Sequence, residues 1–227
     1  MTHLSKSPKP QILVDNEVEW TQDLLTKIQA GTDPTSSEKG RYRHKDIKSV
    51  LISETNGKCA YCESKLRHIH HGDIEHIYPK SLDPALSFTW ENLTLSCEIC
   101  NQNKTNLDPL LEKILDPYTC QPDDHLIFTG PLVFPRGTPE GISTRVLLDL
   151  NRGELAEQRR DHLEKIMGIF DTVSRTDIPL SARKAIYKDL LDQYASKSGE
   201  YSAMVRSVIR QIRHLLPKEL ADLPVAA

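Results

Sequence analysis

Two cysteine doublets, Cys59-x-x-Cys62 and Cys97-x-x-Cys100, stand 34 residues apart in a chain of 227. Each doublet sets two thiolates on one knuckle, and two knuckles complete the tetrahedron that zinc prefers, at about 2.3 Å per Zn–S bond. A site closed in this way holds structure and leaves no position open for chemistry. Bound zinc supplies on the order of 10 kcal/mol of folding free energy, which the sparse core between residues 57 and 107 needs. Cys120 is the fifth cysteine and has no doublet partner, so it reads as a lone thiol. The start MTHLSKSPKPQ lacks a signal-peptide core, and no apolar run approaches the roughly 18 residues of a membrane span. The expectation is a cytoplasmic protein with no membrane contact and no structural disulfides.

Hydrophobic residues make up 38% and charged residues 27%, which suits a packed globular chain and excludes disorder. The net charge of −3 does not advertise nucleic-acid binding, but its distribution is uneven. Residues 39–104 carry 10 basic and 8 acidic groups and five of the nine histidines, whereas residues 105–151 carry 3 basic and 7 acidic groups. The ligand-rich segment is thus the basic one.

Periodicity places a helix from Glu17 to Ile28, with Trp20, Leu24, Leu25 and Ile28 on one face, after a loose arm over residues 1–15. A second helix runs from about Tyr42 to Glu54, buries Ile47, Val50 and Leu51, and stops at Asn56-Gly57. Alternation around Asp73–Tyr78 predicts a short strand, LTLSC (93–97) a second, and NQNKTN a short helix before Asp108-Pro109. Residues 116–151 read as a small hairpin region. Three amphipathic helices then follow, marked by Leu155 to Phe170, Ile186 to Tyr194, and Met204 to Leu215.

Between and beside the knuckles lie DIEHIYPKS (73–81) and WENLTLSCEICNQNK (90–104). A carboxylate-His pair on a strand, an Asn after a loop, a second strand and Asn-x-x-Lys at a helix closely resemble the HNH endonuclease family. The chemistry demands these residue types independently. Phosphodiester hydrolysis needs an activated water, a Lewis acid and stabilisation of the leaving oxygen. His76 is the candidate general base, because imidazole titrates near neutral pH. Glu75 and Asn101 offer the hard oxygens that suit Mg²⁺ or Mn²⁺. Neighbouring residues on a flat strand face opposite ways, so the resemblance implies a distorted strand end that lets Glu75 reach the ion while His76 faces the water. It also implies that Asn92 binds loop backbone and fixes the His76 rotamer, and that Lys104 approaches a phosphate. The chain has Glu75 where many members have Asp and Asn101 where many have His; both still supply metal-ligating donors.

Lys80, Arg41 and Arg43 are candidate nucleic-acid contacts, the two arginines belonging with His44, Lys45 and Lys48 to a basic group ahead of the first knuckle. Asp73 reads as a capping or ion-pairing residue, His68, His70 and His71 as a solvated cluster, and Arg206, Arg210 and Arg213 as a solvent- or partner-facing stripe. The implied fold class is α+β and mostly α: a small zinc-braced ββα-metal core with N-terminal helices and a C-terminal helical region. The expected divisions are 1–38 (arm and helix), 39–115 (nuclease core with the four-cysteine zinc site) and 116–227 (hairpin-like, then helical, for partner docking).

A broader similarity covers roughly residues 41–165, through YRHKDIKSVL, ILDPY, LIFTG and LLDLNRGELAEQR. It is to the PtuB-type HNH subunits of Septu and retron-associated phage-defence systems. That resemblance implies an ATPase partner of the ABC/SMC type and DNA as substrate. RNA such as tRNA as substrate, or a non-catalytic zinc adaptor that binds nucleic acid, are the alternatives.

Overall fold

The computed structural model describes residues 1–66 and 72–225. Two compact units divide the chain: His3–Cys120, and a second that gathers Met1, Thr2 and the residues from Gln121 onward. Among the described residues the architecture is mostly helical with two small two-stranded sheets.

In the first unit, helix α1 (Gln11–Gln29) and helix α2 (Lys45–Glu54) cover a core of Leu13, Leu24, Ile47, Leu51, Phe88, Trp90, Leu93 and Leu95. The second predicted helix starts three residues late, because the His44 ring accepts the Asp46 N–H and caps α2 there. Asn56 and Gly57 both take positive φ (55° and 66°) and end α2 where the sequence signals a stop. Strands β1 (Asp73–His76) and β2 (Leu93–Ser96) pair antiparallel, with Glu75 opposite Thr94 and His76 opposite Leu93. Gly72 leads into β1 at φ +68°, where a Cβ would lie 2.4 Å from the Leu66 side chain and 3.0 Å from the Ser96 carbonyl; only glycine fits.

Helix α3 (Glu98–Lys104) begins before the predicted NQNKTN, because Cys97 is both knuckle and N-cap: its sulfur accepts the Cys100 N–H at 3.4 Å. The ββα order of the resemblance is therefore present.

The start of the chain departs from the expected loose arm. Trp90 Nε1 donates to the Ser7 carbonyl at 2.8 Å, and Ser7 N–H donates to Glu54 at 2.6 Å. Lys6 Nζ lies 3.2 Å from Glu54 Oε1 and 3.9 Å from the Trp90 ring centroid. Glu54 also accepts the Tyr118 hydroxyl. A buried carboxylate and a buried indole thus tie down a polar stretch that has no apolar periodicity to reveal it.

The second unit holds the expected hairpin, β3 (Leu126–Thr129) with β4 (Leu132–Pro135), then α4 (Pro139–Leu147), α5 (Gly153–Ser174), α6 (Leu180–Leu190) and α7 (Ser202–Ile212). The arginine stripe is not solvent-facing throughout. Arg206 is buried and donates to the Ala195 carbonyl, Arg210 pairs with Asp123 at 3.0 Å, and Arg213 donates to the Ala221 carbonyl. Among the described residues no helix is long and apolar enough to cross a membrane.

The Lys6–Glu54 contact generates a test. The Glu54 side chain is 0% exposed, so Lys6→Ala leaves a buried carboxylate without its cation and should cost about 3 kcal/mol. The urea midpoint reads this, and Lys6→Ala combined with Glu54→Gln should recover part of the loss.

Candidate active site

Four sulfurs frame the site. Those of Cys59, Cys62, Cys97 and Cys100 all lie within 4.8 Å of one another. The Cys62–Cys97 separation is 3.8 Å, and four sulfurs at about 2.3 Å around a tetrahedral zinc have edges of about 3.8 Å. The donor set and spacing suit zinc. The first knuckle is held by a Cys59 N–H bond to the Ser64 carbonyl and an Ala60 N–H bond to the Leu95 carbonyl of β2, which ties it to the sheet. A buried Lys58–Glu63 pair at 3.3 Å braces the same turn.

His76 ends β1 and is buried. Its Nε2 lies 3.0 Å from the Ser87 carbonyl oxygen, which can only accept. Nε2 therefore carries the hydrogen and Nδ1 is the nitrogen with a lone pair. The Tyr42 ring meets the imidazole edge-on at 4.6 Å between centroids. Burial first, and then the positive charge of Lys80, push the His76 pKa down to about 4, so the ring is neutral at pH 7 and able to accept a proton. Asn92 clasps the loop that carries Ser87. Its Oδ1 accepts the Tyr78 N–H at 2.7 Å, and its Nδ2 donates to the carbonyls of Tyr78 (2.9 Å) and Leu86 (3.1 Å). The link from Asn92 to His76 runs through that loop.

Glu75 points to the other side of β1, toward α3. Its Oε1 lies 2.8 Å from Lys104 Nζ, and the same ammonium donates to the His76 carbonyl at 2.8 Å. Burial raises the Glu75 pKa, with Lys104 opposing. The sequence reading puts Lys104 at a phosphate. With its side chain 1% exposed, Lys104 is instead the internal counter-ion of Glu75, since a buried carboxylate needs a paired charge.

Asn101, one turn before that lysine, donates its Nδ2 to Asp73 Oδ2 at 3.2 Å. A carboxylate only accepts, so this bond assigns the amide hydrogens to the Asp73 side and leaves Oδ1 as the available donor atom for a cation. Asp73 shares the β1 face of Glu75 by strand alternation. It carries no motif signal beyond its i, i+2 spacing from Glu75.

Glu75, His76, Lys80 and Asn101 line two adjoining cavities of about 580 and 380 Å³. The alternation of a flat strand does not separate Glu75 from His76 here, because β1 ends at His76 and both side chains reach the cleft past its edge. Arg43 and Lys48 line the smaller cavity.

An HNH endonuclease family model matches residues 59–107, from the first knuckle through α3. Over these residues the chain is similar to HNH endonucleases. Two curated relatives carry the name Septu protein PtuB. The one from Bacillus thuringiensis is 32% identical over 56% of this chain and 46% of its own length. The one from Bacillus mycoides (strain KBAB4) is 29% identical over 52% of this chain and 51% of its own. The chain spans about half the length of the curated relatives it matches.

Around residues 59–107, the remaining candidates sort by position. Lys80 donates to the Tyr42 hydroxyl at 2.9 Å at the meeting of the two cavities. Arg43 stands over the Tyr42 ring at 5.3 Å. Arg41 is engaged elsewhere, paired with Asp23 at 3.1 Å and over the Trp20 ring. His68, His70 and His71 lie outside the described residues. Cys120 donates its thiol to the Asp116 carbonyl at 3.0 Å, away from the four-sulfur cluster.

Because Asn92 closes three backbone bonds, Asn92→Ala should destabilise the protein by about 2 kcal/mol through the groups left unpaired. It should also release His76. In ¹⁵N NMR the His76 ring then shows a mixture of tautomers in place of a single Nε2–H form.

Proposed function

We propose that the protein is a metal-dependent endonuclease that hydrolyses phosphodiester bonds of DNA, with a structural zinc on Cys59, Cys62, Cys97 and Cys100. The observation that carries this reading is the convergence of Glu75, His76 and Asn101 on one cleft beside the four-sulfur cluster. A nucleic-acid adaptor has no use for a neutral buried imidazole held in one tautomer beside oxygen donors.

His76 Nδ1 takes the proton from the water that attacks phosphorus, and the Ser87 carbonyl steadies the imidazolium that forms through Nε2–H. Asn92 keeps that carbonyl in place. Glu75 and the Asn101 amide oxygen would hold Mg²⁺ or Mn²⁺, which supplies Lewis-acid charge to the phosphate and the leaving 3′ oxygen. Asp73 orients the Asn101 amide, and Lys104 opposes the rise that burial imposes on the Glu75 pKa. Lys80, Arg43 and Lys48 attract the phosphates on either side of the cut. Arg41, paired with Asp23, lies outside this lining and outside the contact set.

The Septu PtuB relatives support a place in bacterial anti-phage defence. In this reading the chain is the effector nuclease of a cytoplasmic complex with an ATPase of the ABC/SMC type, docked through the second unit.

Purified protein should nick or cut plasmid DNA with Mg²⁺ or Mn²⁺, and His76→Ala, in protein that still folds by circular dichroism, should lower the rate by roughly 10²–10⁴-fold. Activity that survives in this variant contradicts the assignment of the base. Cleavage of total cellular RNA with plasmid left intact contradicts DNA as substrate. Elemental analysis should find one zinc per chain, and Cys62→Ser should lose the metal together with folded structure over residues 57–107.

A further inference from the structure

The two cavities that meet at the reactive residues differ in chemistry. The smaller one carries Arg43, Lys48 and Lys80, a cationic lining suited to phosphate. The larger, about 580 Å³, has walls of Leu24, Ile28, Pro79 and Pro84. Its volume is in the range of small-molecule sites. Phosphate and sugar gain nothing from such walls, whereas a nucleobase has two flat apolar faces to bury. Ile28 is 43% exposed there, an apolar side chain at the end of α1 left open to the cleft.

The rim of this cavity is polar and neutral. Asn106 Oδ1 is taken by the Ser81 hydroxyl at 2.8 Å, which leaves Nδ2 as a donor. Gln102 Nε2 donates to Glu98 at 2.9 Å, which leaves Oε1 as an acceptor. One donor and one acceptor suit a base edge, because every nucleobase presents a donor and an acceptor side by side. Thr105, on the same rim, holds φ 42° and ψ −127° at the end of α3. That is a strained conformation for a β-branched residue, of the kind that clusters at ligand sites. Lys39 is the one cation of this lining not shared with the smaller cavity, and it is paired with Asp33.

We infer that the larger cavity is a nucleobase pocket that takes the unpaired base flanking the scissile phosphate, so that the enzyme acts on single-stranded or locally opened nucleic acid. The inference rests on the phosphodiesterase reading above. A base held in a duplex cannot enter a walled cavity without leaving the stack, so the pocket selects strands whose bases are already free. Apolar walls and one donor–acceptor pair give grip without strong choice among bases.

Binding to the full-length protein without Mg²⁺ tests the pocket apart from catalysis. Deoxynucleoside 5′-monophosphates should bind at least fivefold tighter than deoxyribose 5-phosphate in calorimetry. Ile28→Ala combined with Asn106→Ala should erase the difference and leave deoxyribose 5-phosphate binding unchanged. In cleavage with Mg²⁺, an abasic analogue at the flanking nucleotide should lower kcat/KM at least tenfold, and a fully paired duplex should be cut at least tenfold more slowly than the single strand. Equal binding of the monophosphates and deoxyribose 5-phosphate, or equal cleavage of duplex and single strand, overturns the pocket and leaves the nuclease reading standing. A binding difference without turnover under Mg²⁺ or Mn²⁺ keeps the pocket and removes the nuclease reading.

Discussion

The gathering of four sulfurs is the constraint on which the rest of the site depends. It fixes the turn before β1 against the start of α3, although 34 residues of chain lie between the two knuckles. Cys97 caps α3 and Cys100 lies in its first turn, so the phase of that helix is set by the same atoms. Asn101 follows at once, and Lys104 comes about one turn later. From there the geometry follows with little freedom: Asn101 meets Asp73, and Lys104 meets Glu75, both across the β1 edge. A short segment with few buried apolar residues of its own can hold four polar side chains in register only with such an anchor.

The electrostatics of the cleft show how the site keeps its donors usable. A buried carboxylate alone would take up a proton, and burial does raise the Glu75 pKa. Lys104 opposes that rise at 2.8 Å and carries no other ion pair among those described. Removing such a partner typically costs 3–5 kcal/mol, more than the pair itself contributes. The lysine is therefore best understood as part of the carboxylate. His76 faces the opposite balance, since burial and nearby cations keep it neutral while the Ser87 carbonyl selects its tautomer.

What could be read from sequence was what local spacing encodes. The cysteine doublets, the Glu75-His76 dyad, Asn92 and Asn101 each sit in a short motif, and the cleft brings Glu75, His76 and Asn101 together. The two small strands, the hairpin after residue 116 and the C-terminal helices followed from periodicity in the same way. Residues whose role depends on distant packing were not legible. Lys104 looks like a phosphate ligand until α3 is docked on β1, which turns its ammonium inward. The first residues look like a tail because their anchors, Glu54 and Trp90, lie 48 and 83 positions away. Arg206 falls on a helical stripe with two other arginines but turns to an internal carbonyl. Asp73 reads as a capping or ion-pairing residue until folding shows its partner to be the Asn101 amide, 28 residues further on.

The decisive question is whether the two groups of donors hold two different metals at once. Anomalous diffraction from crystals of the His76→Ala protein soaked with Mn²⁺ and a short single-stranded oligonucleotide reads this directly. The expected result is a zinc-edge peak among the four cysteine sulfurs and a manganese peak bonded to Glu75 and Asn101, in contact with a backbone phosphate. Manganese bound elsewhere, or Glu75 and Asn101 without metal beside an ordered strand, would contradict it.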